Sequence, residues 1–283
     1  MPLSYEEAAS KLLKDERYRR LMADSYLNFS PAEAALRYRE SEEFAEIRRI
    51  LSEKKPSGPV LDLGAGNGIL SFALAKEGYQ VLALEPEDGA VTGRLAIKTV
   101  QSATGTTFEI LNGWGEEIPL QDAAAGAVIA RQVLHHARDL RKMCSEVYRV
   151  LKPGGFFLAL REHVLFKEED RELFLASHPM HRLTEGENAY TPRFYKESIR
   201  AAGFSGLKVY AFWDSVLNYA PIRRDGLDAF FAEKLSRRVP LLPPFFWKNC
   251  VLKIPGASRL LRQLLNAVNK TPGSLYSFEA TKR

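Results

Sequence analysis

The chain has 283 residues, 46% hydrophobic and 27% charged, which is room for one large α/β domain with a cap. Its two cysteines, Cys144 and Cys250, are far apart and exclude a disulfide framework or a cysteine-built metal site; residues 239–247, the longest uncharged apolar run of the tail, are far short of the roughly 20 residues of a bilayer span. The net charge of +5 is uneven: residues 221–283 hold 12 Lys/Arg against 4 Asp/Glu and the remainder 28 against 31, so the basic character belongs to the tail.

The first twenty residues are charged and lack an apolar core, so a cytoplasmic protein without a secretory leader is expected. Residues 5–26 read as a charged helix. SPAE at 30–33 is a helix start, with Ser30 as N-cap, Pro31 in the first position and Glu33 reaching back, and that helix is expected to run to about residue 52. KKPSGP at 54–59 breaks it. PVLDLG then reads as a strand, 69–76 as a helix ended by Gly78, and 79–85 as a second strand. TTFEILNG makes a third strand, AGAVIARQ a fourth at about 126–131, and GGFFLALRE a fifth. RDLRKMCSEVYRVL, between the last two, is an amphipathic helix that KPGG should stop. Short apolar strands alternating with helices imply a parallel sheet covered on both faces. Thr191-Pro192 opens a further helix that Gly203 closes; 207–213 and SLYSFEATK read as strands six and seven. The expected organisation is a helical lid (1–55), a core (56–213), a basic helical cap (214–273) and a final core strand (274–283).

VLDLGAGNG, residues 60–68, sets three glycines two apart between a strand and a helix, so a ligand must lie close to the backbone. A dinucleotide fold would prefer G-x-G-x-x-G with pyrophosphate at the helix start. Here Asp62 stands two residues before the first glycine, which suits a ligand carrying positive charge. Glu85, ending the second strand, is placed to accept from ribose hydroxyls. With R-V-L-K-P-G-G before the fifth strand, residues 58–162 resemble a class I S-adenosylmethionine-dependent methyltransferase. The resemblance implies a Rossmann-like seven-stranded sheet with the last strand antiparallel, and S-adenosylmethionine as cofactor with S-adenosylhomocysteine as product. It places Asp62, Gly64, Ala65, Gly66 and Gly68 around the methionine end and Glu85 and Pro86 at the ribose. It places Trp114, Gly115 and Glu116 along the adenine, and Arg131 and Gln132 near the amino-acid end and the methyl group. The family usually has an acidic residue where Trp114 stands; Trp114 either stacks on the adenine or packs outside. The family's Phe-Asp pair before the fourth strand reads Ala125-Gly126 here.

All five histidines, His135, His136, His163, His178 and His181, lie within 135–181 and follow the fourth or fifth strand, where α/β sheets bind ligands. A hydroxyl acceptor must lose its proton on methylation, and histidine suits that near neutral pH. His135, His163 and His178 are the expected catalytic candidates, with Glu162 and Glu185 as other carboxylate bases. His178-x-x-His181 with Glu185 offers N and O metal ligands, but the spacing is loose and no metal is expected. Tyr26, Asn28, Phe29, Arg37 and Tyr38 are candidates for a lid, Tyr38 and Phe44 alternatively for docking a helix on the sheet.

The basic segment 221–270 closes over an anionic or hydrophobic substrate, rests on an anionic membrane surface at the inner face, or is a cap with a leucine core and solvated charges. No nucleic-acid module is visible. The expected activity is methyl transfer, at oxygen, to a small-molecule or saccharide/lipid-precursor acceptor by a monomer or homodimer. The alternatives are N- or C-methylation, or a non-catalytic cofactor-binding partner subunit.

Overall fold

A computed structural model describes residues 2–184 and 188–283. Seven strands form one sheet: β1 (Val60–Leu63), β2 (Val81–Leu84), β3 (Glu109–Leu111), β4 (Ala125–Arg131), β5 (Leu151–Val164), β6 (Ser205–Tyr210) and β7 (Ser274–Thr281). Their order is β3-β2-β1-β4-β5-β7-β6, and β7 runs antiparallel to both neighbours. The order reverses at β1, so the crevice beyond the carboxyl ends of β1 and β4 is the place a ligand is expected. Strands β1, β2 and β4 are apolar runs because helices cover both faces of the sheet.

Four helices precede the sheet: α1 (Tyr5–Lys14), α2 (Glu16–Asp24), α3 (Pro31–Arg39) and α4 (Glu42–Lys54). The two long helices expected here are each divided. Asp15 ends α1 and caps α2, its carboxylate accepting from Arg17 N. Ser41 caps α4, its hydroxyl accepting from Phe44 N. A side chain that competes for backbone N–H groups favours a new start over a continued helix. Ser30 and Pro31 open α3 as the sequence indicates.

Helix α5 (Ile69–Lys76) follows β1 with the bounds expected. Helix α6 (Arg94–Thr104), between β2 and β3, had no counterpart in the sequence reading. Its first turn lacks a side-chain cap, so no N-terminal signal announced it. Helix α7 (Leu140–Val150) runs directly into β5, and KPGG lies within the strand rather than between the two elements. Helices α8 (Arg171–Ser177) and α9 (Pro192–Ala201) lead to β6, which ends at Tyr210, three residues before the expected bound.

The segment before β7 is helical as expected: α10 (Val216–Tyr219), α11 (Arg224–Arg238), a short α12 (Pro244–Phe246) continuing into one wide turn (Trp247–Val251), and α13 (Ala257–Val268). It has its own apolar centre, in which Val216, Tyr219, Leu227, Phe231 and Leu252 pack with Trp213 and Trp247. Arg224 ties it to α4 through Glu46 and donates its backbone N–H to Glu42 at 2.8 Å.

Candidate active site

A cavity of about 600 Å³ opens at the carboxyl ends of β1, β2, β4 and β5. One end is the glycine turn. Gly64 and Gly66 have φ of +66° and +55°, a region that β-carbon-bearing residues avoid. A Cβ at Gly64 would lie 2.7 Å from Val133 Cγ2, so the glycine also lets the loop after β4 close on the turn.

Two carboxylates face this end. Asp62 is buried, and its Oδ2 accepts from Ser71 Oγ at 2.6 Å. Burial pushes its carboxyl up to about 6, against the pull of Ser71. Glu85 Oε2 accepts from Gly66 N at 2.7 Å and Oε1 from Glu87 N at 3.0 Å. Burial raises Glu85 to about 7, those two hydrogen bonds notwithstanding. Both carboxyls are therefore harder to ionise than in water, Glu85 more so, and positive charge or further donors would favour their ionised forms. A ligand bringing hydroxyls to Glu85 and positive charge near Asp62 meets that need, and the donor set fits S-adenosylmethionine.

Ala65, Pro86, Gly113, Trp114, Gly115 and Glu116 continue the wall. Glu116 Oε1 accepts from Arg138 N at 2.8 Å, and a Cβ at Gly115 would lie 2.6 Å from Met143 Cε. Trp114 is 52% exposed, with the Arg138 guanidinium 5.1 Å from its ring centre. Gly68 caps α5 with φ +78°.

Arg131 and Gln132 also line the cavity. Arg131 Nε donates to Glu43 Oε1 at 2.6 Å, and its guanidinium lies 5.3 Å from the Tyr38 ring centre and 5.7 Å from that of Tyr26. Burial opposes ionisation of Glu43, but Arg131 and Arg161 beside it outweigh that and hold its carboxyl below the usual range. The sequence reading passed over Glu43. Its signal was there: it lies four residues before Ile47 and shares the buried stripe of α4 with Ile47, Ile50 and Leu51.

The N-terminal residues that line the cavity are others than the expected lid candidates. Leu3, Ser4 and Tyr5 with Leu21, Met22, Ser25 and Leu27 line the cavity. The Glu6 carboxylate accepts from Ala90, Val91 and Thr92 backbone N–H groups at 3.0–3.1 Å, which pins α1 over the loop after β2. Phe29 is 60% exposed, Arg37 donates to Ala23 O, and Tyr38 is fully buried beneath Tyr26. Tyr38 and Phe44 thus dock the helices on the sheet.

All five histidines reach the other end of the cavity. They arrive from three segments: His135 and His136 from the turn after β4, His163 from β5, His178 and His181 from the stretch after α8. A bulge in β5 aims the second segment. Between Ala159 and Glu162 the pairing with β7 slips by one residue, and Arg161 takes φ +58° with its N–H on Ser277 Oγ. One extra residue reverses which face the following side chains meet. Glu162 is thereby buried under the turn after β4, where Oε1 accepts from Val133 N at 3.0 Å and Oε2 from His135 N at 3.2 Å. His135 Nδ1 stands 2.7 Å from the same Oε2. Burial pushes Glu162 up to about 7. His163 Nδ1 is 3.0 Å from Gly273 O. Ring centres of His135 and His163 are 5.0 Å apart, and those of His178 and His181 3.9 Å. Glu185 lies outside the described residues. Among the described residues, none of 221–270 lines the cavity.

The sheet order and the glycine turn define a class I methyltransferase fold, and comparison with known proteins agrees. Residues 61–159 match the family described as methyltransferase domain. An uncharacterized methyltransferase of Mycobacterium tuberculosis is 38% identical over 96 residues, 34% of this chain and 36% of that protein. A ubiquinone/menaquinone biosynthesis C-methyltransferase of Brucella anthropi is 29% identical over 118 residues, 41% and 45% of the two chains. The matches thus span less than half the length of these curated relatives. Among solved structures, Haemonchus contortus phosphoethanolamine N-methyltransferase 2 with phosphomonomethylethanolamine and S-adenosylhomocysteine superposes with a TM-score of 0.54 at 18% identity, over 99% of this chain and 60% of that one. A Haloferax volcanii methyltransferase in complex with the Trm112 activator gives 0.53 at 16%, over 98% and 99%. At such identities the likeness concerns the fold.

Proposed function

We propose that the protein binds S-adenosylmethionine between the glycine turn and Glu85 and transfers its methyl group to an oxygen of a small-molecule acceptor held against the histidines. The observation that carries this reading is the single cavity that joins the buried Asp62/Glu85 pair at one end to five imidazoles at the other. Bound there, the cofactor supplies an electrophilic methyl on a sulfonium, with the leaving group already in place. Glu85 would accept from its ribose hydroxyls, Asp62 would balance its positive charge, and the turn around Gly64 and Gly66 would let it approach the backbone. Arg131, held by Glu43 and flanked by Tyr26 and Tyr38, is placed to meet a carboxylate. The lid residues Tyr5 and Met22 would keep water from the reacting atoms.

The histidines supply the proton acceptor that an alcohol or phenol needs. His135 and His163 are buried, with Nδ1 of each engaged. His136 and His178 are half-buried, and His178, the one of the two expected as a base, is the member we assign to take the acceptor proton and pass it to water. A neutral amine attacks through its lone pair and sheds its proton afterwards, whereas an alcohol or phenol needs its proton taken as it attacks, so this cluster favours oxygen over nitrogen. The test is calorimetric titration with S-adenosylhomocysteine, with NAD as control. Micromolar binding that Glu85→Ala removes supports the reading; no binding, or a preference for NAD, overturns it.

A second reading concerns where the protein works. Leu241, Phe245, Ile254, Leu260, Leu264 and Val268 of the cap are exposed among its Lys and Arg residues, and 260, 264 and 268 form one stripe along α13. That pattern favours an anionic membrane surface as a resting place. Co-sedimentation with phosphatidylserine vesicles, lost on Leu260→Asp with Leu264→Asp, would support it; equal recovery with neutral vesicles would sink it.

A further inference from the structure

We propose that His135, His163 and His181 form a binding site for one divalent transition-metal ion. One ring nitrogen from each of the three buried imidazoles lies within 4.8 Å of the others. Three points that close have a position at most about 2.8 Å from all of them. Moving each imidazole inward by about 0.7 Å reaches the roughly 2.0–2.1 Å of a zinc–nitrogen bond.

Distance alone would be weak evidence, and the outer hydrogen bonds add to it. Histidines that bind metal almost always donate their other ring N–H to a carboxylate or a backbone carbonyl. Both forms occur here. His163 Nδ1 is 3.0 Å from Gly273 O, an oxygen that can only accept. Nδ1 therefore carries the hydrogen, and Nε2 the lone pair. His135 Nδ1 is 2.7 Å from Glu162 Oε2, and that carboxylate also accepts from Val133 and His135 backbone N–H groups. In its ionised form that carboxylate can only accept, which sets the His135 lone pair on Nε2. Partners in β5 and just before β7 thus orient two of the three rings. The third member, His181, is buried at 5.4 Å from His163 and 5.8 Å from His135 between ring centres.

The donor set selects the ion. Three neutral imidazoles suit zinc, iron, cobalt or nickel, not magnesium or calcium, which prefer oxygen. Zinc sites with three protein ligands take an exogenous group as the fourth. An acceptor oxygen coordinated there would lose its proton more readily. His178, its ring centre 3.9 Å from that of His181 and tilted by 31°, stays outside the proposed ligand set and keeps the role of proton acceptor. Only that acceptor role rests on the proposed methyl transfer; the ion site stands on the imidazoles themselves.

The test is metal binding by the full chain without an affinity tag. After chelator treatment, Co(II) is titrated and followed by its visible d–d absorption, and Zn(II) by calorimetry. One equivalent per chain is expected. His163→Gln and His181→Gln should each weaken binding at least tenfold. Glu162→Gln, which reaches the ion only through His135, should weaken it 10- to 100-fold. His178→Ala should keep one equivalent within threefold. A wild-type chain that takes up less than a tenth of an equivalent overturns the proposal whatever the variants do. So does affinity unchanged in both His163→Gln and His181→Gln. Each folded variant is also titrated with S-adenosylhomocysteine. Metal uptake without cofactor binding would overturn the proposed function and leave this site standing.

Discussion

Glu85→Gln gives the sharpest test of the cofactor end, because the charge and the pH response of one side chain can be separated. In the unliganded protein burial holds Glu85 at about 7 and Asp62 at about 6. Donation from ribose hydroxyls favours the ionised form of Glu85, so binding must release a proton when the pH is below 7. If both groups ionise in the complex, affinity for S-adenosylhomocysteine falls about 25-fold from pH 7.5 to pH 5.5 through Glu85, and about fourfold through Asp62. The product is about 100-fold for the wild type. The variant keeps only the fourfold part. At pH 7.5 it also loses charge-assisted hydrogen bonds worth about 1.5–3 kcal/mol each. Its amide offers one acceptor where Gly66 N and Glu87 N each need one, which leaves a backbone N–H unpaired. The stability of the free protein carries the opposite sign. Carboxyls raised on folding favour the native state below their unfolded values near 4. That contribution is lost as pH rises through 6 and 7, by about 3 kcal/mol for Glu85. Calorimetry at several pH values, in buffers of different ionisation enthalpy, reads the affinity and the proton release. A wild-type affinity flat between pH 5.5 and 7.5, or an equal slope in Glu85→Gln, refutes the assignment.

Three other perturbations probe the frame around the site. Glu43→Gln leaves Arg131 and Arg161 buried without their counter-charge and should cost about 3–5 kcal/mol in urea unfolding, far more than any exposed ion pair of this chain. Gly64→Ala must hold φ +66° and press a methyl against Val133. It should lower stability by about 1–3 kcal/mol and weaken cofactor binding together, read by thermal melting and calorimetry. Glu6→Gln loosens the three backbone N–H groups of residues 90–92, so α1 should exchange amide hydrogens faster while the sheet is unchanged.

What the sequence made legible follows the range of the interactions involved. Asp62, Gly64, Gly66 and Glu85 could be read because strand–turn–helix chemistry is local: the glycines answer to backbone angles, and Glu85 to its place at the end of β2. The cap was legible as helical and basic, though not as remote from the cavity, since composition says nothing of where a segment packs. The division of the N-terminal helices at Asp15 and Ser41 was readable from capping residues but was outweighed by the helical pattern around them. Helix α6 carries neither cap nor acidic first turn, and nothing announced it.

The histidine cluster marks the other limit. The three buried imidazoles that come together stand 28 and 18 residues apart, a grouping that the local spacing His178-x-x-His181 does not announce. Tertiary structure makes the grouping through two devices. The bulge at Arg161 changes which way β5 presents Glu162 and His163, and the carbonyl of Gly273, at the mouth of β7, orients His163 from 110 residues away. Gly273 has φ +81°, and a Cβ there would lie 2.1 Å from Phe174. A β-carbon at that position would push the loop off α8 and take the carbonyl with it. The antiparallel last strand therefore does more than complete the sheet: its first turn sets the tautomer of an imidazole in the cavity.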